Sequence, residues 1–209
     1  METIIYLIRH SVPFKEHRGV ELLIDNLLEE NKKSPLSITG EGKAALLSKI
    51  DELKDIDIVY SSDYVRAMST AKYIAFNNNL KVNVDYRFGE RIHGVSSWSE
   101  LPSDFEEKQF SDIDFKMENG ESRREVSERF NLALEEILKA NLGKKIAIVS
   151  HGTAITFLLM KLGEYKDDSI YFNNEIVMDK SFVWQAPDIF KLTFEDDSLI
   201  KINHIDFNL

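Results

Sequence analysis

The stretch Ile4-Ile5-Tyr6-Leu7-Ile8-Arg9-His10-Ser11 decides how the rest of the chain is read, because an apolar run stops abruptly on an arginine and a histidine. Ile4 to Ile8 carry no polar alternation, the mark of a strand covered on both faces of a mostly parallel sheet. In open α/β sheets, ligands bind outside the carboxyl ends of the strands, which puts Arg9 and His10 at the mouth of a crevice. One is a fixed cation, the other a group that can be neutral near pH 7. The pattern recurs in Ile146-Ala147-Ile148-Val149-Ser150-His151-Gly152, a second apolar strand ending on histidine, with the apolar helix Thr153 to Leu162 behind it. A lone histidine at a strand end is most often an ordinary polar terminus. Two such strands, one with arginine directly before the histidine, point to a site.

Other segments fall into the same frame. Pro35-Leu36-Ser37-Ile38-Thr39-Gly40-Glu41-Gly42, Tyr60-Ser61-Ser62-Asp63-Tyr64-Val65-Arg66-Ala67-Met68-Ser69-Thr70-Ala71, Phe88-Gly89-Glu90 with Gly94, and Gly120-Glu121-Ser122 with Arg129 occur in that order. Together with Leu7-Ile8-Arg9-His10 and Ser150-His151-Gly152, they resemble the histidine phosphatase superfamily, the group that includes the cofactor-dependent phosphoglycerate mutases. The matches span roughly residues 4 to 162. The resemblance implies a three-layer α/β/α fold with a mostly parallel central sheet, an antiparallel edge and an inserted cap. It also implies that His10 is a nucleophile that becomes phosphohistidine, that Arg9 and Arg66 hold the phosphoryl oxygens, that His151 completes the pocket as an imidazolium, and that Glu90 is the general acid. The chain departs from the family pattern in two places. Ser11 stands where the family has glycine, and the path from His10 to Pro35 lacks the family's Trp-Asn pair, which favours hydrolysis over mutase transfer.

With 209 residues, 43% of them hydrophobic, the chain can close one substantial core, so a single domain over 1–209 is expected, with a cap-like insertion at about 91–120. There are no cysteines, which excludes disulfides and thiolate zinc sites and suits a reducing compartment, the cytoplasm. No apolar run approaches the ~18–20 residues that span a bilayer, and the short N-terminal run lacks a basic flank, so no membrane association is expected. Against 36 acidic side chains stand 26 Lys and Arg, a net charge of −10 that repels a nucleic-acid backbone. In that field, a convergence of Arg9, Arg66 and histidines is a positive hole suited to a small phosphorylated solute. A homodimer is compatible with this composition.

Along the chain, Val20, Leu23, Ile24, Leu27 and Leu28 repeat at helical spacing, predicting an amphipathic helix near 20–32. Thr39 is expected to cap a helix running to about Leu53, and Asp57 to Tyr60 to form a short buried strand. A helix from about Tyr64 to Phe76 carries Arg66 in its first turn, poorly placed against the helix dipole unless it serves an anion. Leu80 to Tyr86 alternates as a strand. Arg91 to Gly120 is polar and aromatic, too long for an ordinary loop, and reads as a cap over the crevice. Glu121 to about Asn141 is the longest predicted helix, ended by Gly143. Gly163 to Pro187 carries no assignable pattern, and Ile189 to His204 reads as a hairpin with its turn at Glu195 to Ser198.

Phosphoryl transfer needs an in-line nucleophile, cations around the equatorial oxygens and a proton for the leaving group. Arginine suits the second task because its planar fork makes paired, charge-assisted hydrogen bonds. The acid requires a carboxyl that holds its proton near neutrality, which burial of Glu90 under the cap would favour; Glu100 and Glu121 are the competing carboxyls. The resulting expectation is a phosphomonoesterase acting on a small phosphorylated metabolite. The alternatives are phosphoglycerate mutase-type transfer and a phosphate-binding module without turnover. No cofactor and no metal are expected: His10, His17, His93, His151 and His204 show no H-E-x-x-H pairing, and an arginine beside a histidine is a poor neighbour for a dication.

Overall fold

The computed structural model describes residues 1–14 and 27–207. The chain runs β1 (Glu2–Arg9), α1 (Leu27–Lys33), α2 (Ile38–Leu47), β2 (Ile58–Ser61), α3 (Val65–Asn77), β3 (Val82–Val84), α4 (Phe105–Ser111), α5 (Arg123–Ala140), β4 (Lys145–Ser150), α6 (Gly152–Leu162), β5 (Glu164–Lys166), β6 (Ser169–Phe172), β7 (Glu175–Met178), β8 (Asp188–Glu195) and β9 (Ser198–His204). One sheet has the order β3-β2-β4-β1-β8-β9, in which β1 to β4 pair in parallel and β8 and β9 add an antiparallel edge. Successive side chains of a strand point to opposite faces, and β1 shows the consequence. Ile5 and Leu7 pack with α5 and α6 through Phe130, Leu134, Ile155 and Leu158, whereas Tyr6 and Ile8 pack with α2 and α3 through Leu47, Ala67 and Ile74. Both faces are covered by helices, which is why Ile4 to Ile8 is apolar without alternation.

The carboxyl ends of β1, β2 and β4 lie together. Register pairs Arg9 with Ser150 and Ser61 with Val149, so the residues that follow these strands, His10, Ser62 and His151, emerge side by side. The loop after β1 is held by α2. Ser37, not Thr39, caps that helix: its backbone is extended and its Oγ accepts from Gly40 N, while Thr39 is already inside the first turn. A Cβ on Gly40 would lie 2.0 Å from the Val12 carbonyl oxygen, so only glycine lets the helix start this close to the loop carrying His10 and Ser11. α2 also ends earlier than expected, at Leu47, and Asp51–Leu53 forms a separate 3-10 turn.

Other boundaries follow local chemistry. β3 covers only Val82–Val84, because Asp85 accepts from Arg87 N and starts a 3-10 turn over Tyr86–Phe88. Ser122 caps α5 in a reciprocal capping box with Glu125. Gly163 to Pro187 contains the antiparallel sheet β5-β6-β7, whose turns carry positive φ at Asp167 and Asp168 and again at Asn173 and Asn174. Such two-residue turns suit Asp and Asn, whose short polar side chains tolerate the left-handed region. Of the helix expected near 20–32, Leu27 and Leu28 begin α1; Val20, Leu23 and Ile24 lie outside the described residues.

Residues 91–120 leave and rejoin the fold at one point. Ile92 O accepts from Glu121 N at 2.8 Å, Ile92 N donates to Glu121 Oε2 at 2.9 Å, and Gly94, at φ +75°, lies so close to Gly120 that a Cβ would meet its N at 2.1 Å. Between these ties, Phe105 of α4 is buried against Phe115, with ring centroids 5.9 Å apart.

Candidate active site

The polar cluster at the strand ends is built on Arg66. From the first turn of α3 its Nε donates to His10 Nε2 at 2.9 Å and its Nη2 to His151 Nδ1 at 3.1 Å, while Nη1 reaches the carbonyl of Asn31 in α1. Its guanidinium carbon lies 4.9 Å from the centroid of the Tyr64 ring. Because a guanidinium only donates, both contacted ring nitrogens must be lone-pair acceptors. The other nitrogens then carry the protons: His10 Nδ1 donates to Ser11 O at 2.7 Å, and His151 Nε2 to Ser62 Oγ at 2.8 Å. Burial, followed by the adjacent Arg66 cation, holds both histidines well below the ordinary histidine range. The imidazolium expected at His151 is therefore not the form favoured by this site; desolvation and the neighbouring guanidinium keep the ring neutral.

Arg9, at the end of β1, donates through Nη1 to the carbonyls of Trp184 and Gln185, at 3.1 and 2.9 Å. Its buried Nε has no hydrogen-bond partner among the described residues. Ser11 points away from the cluster: its Oγ donates to Gly40 O at 2.7 Å, and its N donates to Thr70 Oγ1 at 3.0 Å.

Glu90 approaches from the segment after β3. Its Oε1 accepts from Arg91 N at 2.9 Å and from Ala154 N, in the first turn of α6, at 3.1 Å, which leaves Oε2 as the oxygen free of those bonds. The backbone that carries it is clamped by Arg129, which donates to the carbonyls of Arg87, Gly89 and Glu90 and is itself held by both oxygens of Glu121. Glu121 is thus committed to Arg129, and Glu100 bonds within its own loop to Ser96 N and Ser97 Oγ. Of the three carboxyls considered from the sequence, Glu90 is the one lining the cavity of about 570 Å³ that also includes Arg9, His10 and Arg66. The far wall of that cavity includes Arg91, His93, Trp98 and Glu106, all from the 91–120 segment.

The structure brings Arg9, His10, Arg66, Glu90 and His151 together from four separate places in the chain. Four contributors, Arg91, Asn31, Trp184 and Gln185, were not singled out from sequence. Arg91 pairs with Glu106 and Gln109 behind His93; Asn31 offers only a carbonyl, which carries no residue-type signal; Trp184 and Gln185 fall in the stretch that resisted assignment. His204 does not line the cavity and is bonded to Asp188, and His17 lies outside the described residues. Among the described residues, no group of three or more His, Cys, Asp or Glu is placed to hold a metal ion, and no helix is long and apolar enough to cross a membrane.

Comparison with known proteins places this arrangement. The chain is 32% identical over 142 residues to the probable phosphoglycerate mutase GpmB of Yersinia enterocolitica, an alignment covering 65% of this chain and 66% of that protein. Its fold is similar to the mycobacterial glucosyl-3-phosphoglycerate phosphatase, with a TM-score of 0.69 at 17% identity over 98% of this chain and 97% of the other. It is also similar to a phosphoserine phosphatase variant from Entamoeba histolytica solved with phosphoserine, with a TM-score of 0.67 at 22% identity over 96% of each chain. The family model of the histidine phosphatase superfamily (branch 1) matches residues 5–173, from the first buried strand through the His10, Arg66, Glu90 and His151 segments, and the chain belongs to that superfamily.

Proposed function

We propose that the protein is a phosphomonoesterase that hydrolyses a small phosphorylated metabolite through a phosphohistidine at His10. The observation that carries this reading is the contact of Arg66 Nε with His10 Nε2 at 2.9 Å, on a ring whose Nδ1–H is fixed by Ser11 O. It presents a neutral imidazole whose lone pair lies in the cavity, beside the cation that would bind the phosphoryl oxygens. An arriving phosphate dianion competes for the guanidinium, and Arg66 turning to its oxygens frees the Nε2 lone pair for attack at phosphorus.

In the first step the Nε2–P bond forms, the ester P–O bond breaks and the leaving oxygen takes a proton from Glu90. In the second, water attacks phosphorus, its proton passes to the Glu90 carboxylate, the P–N bond breaks and inorganic phosphate leaves. Arg9 and Arg66 carry the phosphoryl charge as bidentate donors. His151, whose Nδ1 lone pair is released when Arg66 turns to the phosphoryl oxygens, then accepts a proton from the bound phosphoryl group. Residues 91–120, tied at Ile92 and Glu121, act as a cap whose wall contacts the part of the substrate beyond the phosphate.

Rapid quench with ³²P-labelled substrate tests the mechanism. An acid-labile phosphoenzyme should form in wild type and be absent in His10→Ala, with turnover unaffected by chelator. Retained turnover in His10→Ala, or loss of activity in chelator, refutes it; phosphate binding without a phosphoenzyme would make the protein a binding module. The names of the curated relatives favour a second reading, mutase-type transfer between phosphoglycerate hydroxyls. A mutase must keep water from its phosphoenzyme, and the missing Trp-Asn pair argues against that here. Interconversion of phosphoglycerates primed by a bisphosphate, faster than their hydrolysis, would establish the mutase.

A further inference from the structure

We propose that Asp188 and His204 are positioning residues: a brace that fixes the turn gripping Arg9 and so aims its guanidinium at phosphate. The inference rests on the phosphate role proposed above for Arg9. Asp188 opens β8 directly opposite Arg9 in the antiparallel register and is 1% exposed. A carboxylate at that depth is costly unless its oxygens are satisfied, and these are. Oδ2 accepts from Gln185 N at 2.8 Å; Oδ1 accepts from Ile189 N at 3.0 Å and from His204 Nε2 at 2.6 Å.

The bond to Gln185 N closes the turn between Trp184 and Asp188, and closing it points the Trp184 and Gln185 carbonyls at Arg9 Nη1. Trp184 is anchored separately, its indole Nε1 donating to Thr156 Oγ1 of α6 at 3.1 Å, and its ring lies under the Arg9 guanidinium at 6.0 Å. With Nη1 held by two carbonyls, the remaining orientation of the fork is set where the Arg9 side chain lines the cavity. His204 on β9 in turn fixes the carboxylate, wedged between the Phe182 and Phe190 rings at 5.2 and 5.1 Å. The Asp188–His204 pair thus acts on Arg9 through the backbone of the Trp184–Gln185 turn, with no side-chain hydrogen bond to the guanidinium itself.

The test is calorimetric binding of inorganic phosphate to Asp188→Asn, Arg9→Ala and the double variant, alongside kcat and KM for p-nitrophenyl phosphate. Asp188→Asn keeps the shape but removes the charge and one acceptor. It should weaken phosphate about tenfold, the scale of a modest misplacement of a site group, and raise KM more than it lowers kcat. In the Arg9→Ala background the same substitution should change phosphate affinity by less than about twofold. His204→Gln, which still donates to Asp188, should stay close to wild type, whereas His204→Ala should follow Asp188→Asn; that pair also carries the test if Asp188→Asn does not fold. An equal loss in both Arg9 backgrounds, or no loss from either Asp188→Asn or His204→Ala, overturns the brace. Unchanged phosphate affinity in Arg9→Ala would instead overturn the role of Arg9 itself, a separate outcome.

Discussion

Arg66→Lys keeps the charge and removes the fork, and so separates a point cation from a positioned donor set. In the folded protein three guanidinium nitrogens serve three acceptors: Nε on His10, Nη2 on His151 and Nη1 on the Asn31 carbonyl. A single ammonium on a flexible stem can replace one of those nitrogens, so two contacts are lost. Hydrogen bonds involving a charged group contribute about 1.5–3 kcal/mol net each, which makes the loss about 3–6 kcal/mol. If the same donors serve the phosphoryl oxygens in the transition state, kcat/KM for an aryl phosphate should fall by ~10²- to 10⁴-fold. The assay is steady-state hydrolysis of p-nitrophenyl phosphate well below the thermal midpoint of each protein, with circular dichroism to show that the variant is folded. A folded Arg66→Lys within about fivefold of wild type would show that the fork geometry does not matter and that the contacts drawn from Arg66 are incidental to the reaction.

Glu90→Gln should slow an alkyl phosphate by ~10²- to 10⁴-fold and an aryl phosphate far less, since a phenolate leaves without a proton; equal losses on the two substrates would make Glu90 merely structural. Ser11→Gly should change kcat/KM by less than about tenfold, because the hydroxyl points to Gly40 O and not into the cavity, yet lower stability by ~0.5–1.5 kcal/mol through the lost hydrogen bond, read by denaturant unfolding. An intact midpoint would refute that account. His10 and His151 are held below the unfolded value near 6.5, so the unfolded chain binds protons that the folded one does not, and stability is full above about pH 6.5 and falls below it. Two rings give a slope of up to ~2.7 kcal/mol per pH unit between about pH 6 and 5. His151→Asn, which cannot titrate, should remove about half of it, and an unchanged slope would show that His151 is already protonated in the fold.

Much of this protein is legible one segment at a time. Ile4 to His10 and Ile146 to His151 reveal buried parallel strands ending on chemistry, because burial on both faces forces an unbroken apolar run and the end of that run is where polarity becomes affordable. Arg66 at the start of a helix, and the length of 91–120, are likewise local signals. What failed locally failed for local reasons: Ser37 and Thr39 are both competent caps, and only the approach of Gly40 to the Val12 carbonyl decides which one begins α2. The Asp167-Asp168 and Asn173-Asn174 turns were present as residues but flanked strands too short to show a period.

The sequence by itself determined which side chains could do phosphoryl chemistry and that they stand at the ends of buried strands. Tertiary structure decided their states and their support. Neutral rings at His10 and His151 follow from desolvation beside Arg66, a property of three residues far apart in the chain. The fixing of Arg9 by Trp184, Gln185, Asp188 and His204 depends on an antiparallel register between strands nearly the whole chain apart. Residue identity supplies donors, acceptors and charges, but protonation and aim are set by distance and burial, which only the folded chain defines.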